Sequence, residues 1–144
     1  MRQIAQFILG AGLLLSGTSL ASGQLQFDGT FSEAHSTSAQ CDQVFADEAY
    51  HAMHALAGPS QRTSVLKFTR EGGGFFDGFV MVGLLGGSND LFYDKTLETD
   101  ALNYEVHAEG FIDRSVLYLE FEVNGVDADG ASVCKATATY SAFN

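Results

Sequence analysis

Basic side chains are scarce in this chain: seven Lys and Arg stand against 18 Asp and Glu, for a formal net charge of −11. Such a surface repels phosphate backbones, and no basic run offsets it, which argues against nucleic acid as a partner. Tryptophan is absent, proline occurs once, at Pro59, and cysteine twice, at Cys41 and Cys134. Neither cysteine has a second nearby in sequence, which argues against a thiolate metal cluster; in an oxidising compartment the simplest reading is one disulfide between them. Beyond the first two dozen residues no apolar run approaches the roughly 20 residues that a membrane-spanning helix needs. Catalytic signatures are missing too. There is no Gly-x-Ser-x-Gly elbow, and "REGGGF" joins strands instead of opening a helix, so it lacks the context of a phosphate loop. The expectation is a protein that is not an enzyme and needs no cofactor.

What is present begins with a leader. Arg2, the apolar run Ile4 to Leu15 and the small residues around Ser19-Leu20-Ala21 form the three parts of a secretory signal peptide, with cleavage expected after Ala21. Residues 22–144 are then one exported domain, periplasmic or secreted. Loss of Arg2 leaves six basic against 18 acidic residues, so the mature charge is −12. The bland meaning of this acidity is solubility.

Hydrophobic periodicity divides the mature chain. "LQFDGTFS" (25–32) alternates as a half-buried strand. "AQCDQVFADEAYHAMHALAGP" reads as a helix from about 39 to 57, with Cys41, Phe45, Ala49, Ala52 and Leu56 on one buried stripe and Gly58-Pro59 as its stop. From residue 63 the period is two: strands are expected over 63–70, 75–85, 100–112, 116–123 and 131–143. A two-residue turn at Asp113-Arg114 sets Ala108 opposite Leu119 and Val106 opposite Phe121, with both apolar sets on one face.

The predicted fold class is therefore α+β: an antiparallel meander of about six strands with one helix packed on it and one disulfide. That element order resembles, in outline, the cystatin-like fold and the lipocalin-like barrels. Neither family's signature is present, because Gln-x-Val-x-Gly is missing and Gly-x-Trp requires a tryptophan.

Three groups of residues are candidates for function. Asp47, His51 and His54, spaced by four and three, share one face of the expected helix and have the chemistry to seat zinc or copper; a solvated polar face with one Asp-His pair is the plainer reading. "NGVDADG" (124–130) clusters Asp127 and Asp129 like the start of a calcium loop, but it joins two strands, so a turn is the better reading. The third group is "GGGFFDGFVMVGLLGG" (72–87), a strand apolar on both faces, with Phe75, Phe79 and Met81 on one side and Phe76, Val80, Val82 and Leu84 on the other. Such a strand either lines a site for an apolar small molecule between sheet and helix, or presents one face to a protein partner, a second copy of the chain included, or is covered within the monomer.

Overall fold

The computed structural model describes residues 24–144. The expected leader, residues 1–21, lies outside them. Eight strands follow in order: β1 (Leu25–Ser36), β2 (Ala49–Ala57), β3 (Thr63–Thr69), β4 (Val80–Leu85), β5 (Asp90–Glu98), β6 (Asn103–Ile112), β7 (Val116–Val126) and β8 (Ser132–Phe143). Each pairs antiparallel with the next, and β8 returns to pair with β1, so the sheet closes into an up-and-down barrel with no free edge.

This corrects the α+β expectation. The fold is all-β: in place of a helix over 39–57 stand a single 3-10 turn, Ala39–Cys41, and the strand β2. The physical reason lies in "AYHAMHALA". Alanine fits a helix stripe and a strand face equally well, so the segment satisfies both periods. Pairing on both sides decides it: Phe27 faces Ala52 across β1, and Ala52 faces Phe68 across β3. Residues before it close a chain of short turns, with Cys41, Asp42, Val44 and Ala46 each donating to the carbonyl three residues back. A further strand, β5, forms over Asp90–Glu98, where no strand was expected.

The β6–β7 hairpin keeps the expected faces but slips by two residues, so that Ala108 faces Phe121 and Val106 faces Val123. The Asp113 carboxylate accepts from the backbone N–H of Ser115 (2.7 Å) and Val116 (2.8 Å), which moves the turn centre to Arg114-Ser115. A slip of two preserves the face of every side chain, whereas a slip of one would invert it.

The barrel axis is filled with rings. Phe31 lies 4.9 Å from Tyr140, 5.0 Å from Phe45, 5.2 Å from Phe121, 5.5 Å from Phe76 and 5.6 Å from Tyr50, centroid to centroid. All of these residues are buried. Two of them enter from loops: Phe45 from the segment before β2, and Phe76 from the segment between β3 and β4. The glycines before Phe76 have a defined role. Gly74 sits at φ 151°, and a Cβ there would collide with the Tyr50 hydroxyl, which in turn accepts from the Phe76 N–H at 3.2 Å. At Gly110, directly opposite Leu119 on β7, a Cβ would strike the Tyr118 carbonyl, so the two strands come together only with glycine there.

Cys41 and Cys134 form the disulfide, tying the 3-10 turn to the start of β8 across 93 residues. The bond is consistent with an extracytoplasmic location. The small inner face of β8, Ala136, Ala138 and Ala142, receives no helix. Its room is taken by rings on the flanking strands, among them Phe121, the cross-strand neighbour of Ala138.

Candidate functional site

Strand alternation separates the proposed metal trio. On β2, His51 points outward and pairs with Asp28 of β1, with two thirds of its side chain open to solvent. His54, three residues on, points inward and is buried. Asp47 precedes the strand and pairs with Arg70 at 3.5 Å. The three shared a face only on a helix, and the strand removes that basis. No group of three His, Cys, Asp or Glu among the described residues is placed to hold a metal ion. At the other acidic motif, the Asp127 carboxylate accepts from the N–H of Asp129 (2.9 Å) and Ala131 (3.0 Å), which closes the β7–β8 turn internally.

The inward turn of His54 creates a buried polar chain that the sequence patterns did not suggest. His54 Nε2 lies 2.7 Å from Ser64 Oγ, which lies 2.6 Å from the Tyr93 hydroxyl. Serine beside histidine has the parts of a nucleophile and its base, yet Ser64 is completely buried and no carboxylate orients the imidazole. Burial holds the Tyr93 hydroxyl protonated well above its usual range. His54 Nδ1 has no hydrogen-bond partner among the described residues.

Burial also lowers the His54 pKa from 6.5 to about 4. The unfolded chain takes up this proton near 6.5, the folded chain only near 4, so acid favours unfolding. The stability tied to neutral His54 is complete above about pH 6.5 and is lost as the pH falls toward 4, by about 3 kcal/mol in all. Urea unfolding of wild type and His54→Leu at pH 7 and pH 4 isolates this loss, because carboxylate titrations are common to both proteins. The wild type is expected to lose about 3 kcal/mol more than the variant over that interval.

On the outer wall, His107 bridges Asp94 (2.7 Å) and Glu109 (3.4 Å). Its pKa is raised, chiefly by the hydrogen bond to Asp94 and against some desolvation. With Glu33, His35, Glu120 and Glu122 it borders an open acidic groove of about 650 Å³.

Of the residues expected to face a ligand or partner, Phe76, Phe79 and Met81 point into the barrel and are buried, and Phe75 and Val80 are half-buried. Val82, at 56%, and Leu84 on the same face are open. They begin a stripe whose continuation over β5 to β8 the sequence reading missed. Val82 and Leu84 lie on the outside of β4; Leu84 (64% exposed) faces Phe92 on β5, and Phe92 is the diagonal neighbour of Phe111 on β6. Phe111 stacks on Tyr118 of β7 at 5.6 Å, and Val116, two residues before Tyr118, faces Phe143 (62% exposed) on β8. Contiguous apolar surface thus crosses five strands near one end of the barrel. The available signal was parity: Phe111 follows Glu105, His107 and Glu109 on the polar face of β6, and Phe143 follows Thr137, Thr139 and Ser141 on the polar face of β8.

Comparison with protein-family models, curated proteins and solved structures finds no significant match for this chain.

Proposed function

We propose that the mature chain is an exported, non-enzymatic interaction module that recognises its partner with the outside of its barrel. The observation that supports this best is the stripe Leu84–Phe92–Phe111–Phe143, open to solvent while the barrel axis is occupied by rings. A closed eight-stranded barrel is an architecture that can hold one small molecule. Here Phe31, Phe68, Phe76 and Tyr140 are buried along the barrel axis, which argues against a ligand there. The bilayer is served equally poorly as a solvent for the whole wall. Lipid-spanning barrels are apolar outside and polar within, whereas this one carries Asp94, Glu105, Glu109, Glu120 and Glu122 outside and aromatics within. No helix among the described residues is long and apolar enough to cross a membrane.

The reading is tested with an apolar fluorescent dye and a thermal-shift panel of fatty acids and sterols. Dye binding is expected on the native protein and should fall severalfold in Leu84→Ser/Phe111→Ser, with the melting temperature nearly unchanged. Fatty acids and sterols should not raise the melting temperature. A rise of several degrees would move the binding site to the interior and defeat the proposal.

A further inference from the structure

Charge is distributed unequally between the two ends of the barrel. The loops at one end (37–48, 70–79, 99–102 and 127–131) carry eight carboxylates and one guanidinium; those at the other (58–62, 86–89 and 113–115) carry Arg62, Arg114 and Asp113. Asp90, at the start of β5, balances these loops, and on the adjoining wall Asp28, cross-strand from Phe143, pairs with His51 while Glu109, cross-strand from Phe92, pairs with His107. The apolar stripe lies at this end: Leu84, Phe111 and Phe143 are each within two residues of the finish of their strands, and Val116 opens β7.

We propose that the partner of the stripe is a second copy of this chain, the two barrels meeting along their near-neutral ends about a two-fold axis. The inference rests on the outer-wall reading above and gives it an occupant. Three observations lead to it. First, two chains of charge −12 repel over most of their surface, and this end is where they approach with least like-charge opposition while their acidic loops point apart. Second, a two-fold interface must be complementary to itself. An apolar centre bordered by Arg62 and Arg114 together with Asp28, Asp90, Glu109 and Asp113 meets that condition, since each arginine has a carboxylate to face on the other copy. Third, the open fractions of Val82, Leu84, Phe92, Phe111 and Phe143, from 43% to 64%, amount to roughly 500 Å² if large side chains carry about 150–250 Å² each. The stripe crosses five of the eight strands, so a two-fold contact covers only the part that faces the partner and lies at the small end of interface sizes, which suits a reversible dimer.

The test is sedimentation or light scattering of the mature protein from 5 to 500 µM, in about 50 mM and about 500 mM salt, where the screening length falls severalfold. A concentration-dependent dimer is expected, and it should tighten at the higher salt because the residual force between copies is repulsive. Phe111→Asp and, separately, Phe143→Asp should each weaken it at least tenfold without altering the melting temperature of dilute protein. A monomer at every concentration and both salts overturns the inference, as does a dimer that neither substitution weakens. Vesicles of phosphatidylcholine with phosphatidylglycerol form a third arm: flotation of a monomeric protein with them would assign the stripe to a lipid surface and also overturn it. The dye and thermal-shift measurements, made on dilute monomeric protein, read the stripe without the second copy, so failure of the dimer and failure of the outer-wall reading are distinguishable.

Discussion

Phe31→Ala is expected to lower the unfolding free energy by about 3–5 kcal/mol, the range for removing a fully buried phenyl ring. The side chain is 3% exposed and projects from the middle of β1 into rings contributed by β2, β3, β7, β8 and both entering loops. Strands on either side are fixed by ladder pairs, Phe31 itself facing Tyr140. The walls therefore have little freedom to close on the gap, and a cavity term adds to the lost transfer energy. Phe76→Ala removes a ring of equal size from a loop that can resettle, so it should fall near the low end, about 3 kcal/mol. Denaturant unfolding of the two variants gives the comparison. A dry apolar cavity in Phe31→Ala should also take up benzene and recover part of the lost stability, whereas a loss below about 1 kcal/mol would mean that the rings do not form one packed core.

Removing the disulfide by Cys41→Ala/Cys134→Ala is expected to reduce stability by about 4–5 kcal/mol in the chain-entropy model, given a closed loop of 93 residues. For a domain of this size that corresponds to a fall of roughly 10–20 °C in melting temperature. The effect has a local share as well. The segment from the 3-10 turn to β2 buries Val44 and Phe45 over one mouth of the barrel, and the bond at Cys41 is its covalent tie to β8. The double variant should therefore show faster amide exchange in residues 39–48 than in the strands. Reduction of the native protein should be slow, because both cysteines are almost wholly buried. An unchanged melting temperature in the double variant would remove the disulfide from the account of stability.

Much of this molecule is legible in its sequence, and the gaps have physical causes. The strands β3, β6, β7 and β8 announce themselves because apolar and polar residues alternate in them, whereas β5, over 90–98, is not read as a strand. The Cys41–Cys134 pair follows from parity and compartment alone. The segment at 49–57 misleads because alanine carries no preference between faces, leaving a helical and an extended reading equal until β1 and β3 pair with it. That one error propagates: Asp47, His51 and His54 converge on a helix and diverge on a strand. It also hides the His54–Ser64–Tyr93 chain, whose members lie on β2, β3 and β5 and meet only once those strands lie side by side. The phenylalanines of 75–79 read as strand but form a turn, because Gly72, Gly73, Gly74 and Gly78, all at positive φ, bend the segment back into the barrel mouth. Doubly apolar character there meant a plug. The exposed face lies farther along, where single apolar residues interrupt polar parity.

The central claim is that the barrel interior belongs to its own side chains and recognition belongs to its outer wall. Native mass spectrometry of the mature protein, purified without any delipidating step, tests this most directly. The account predicts the mass of the chain, alone or doubled, with no retained small molecule. One apolar molecule held per barrel, in a stoichiometric peak that survives desolvation, would contradict it.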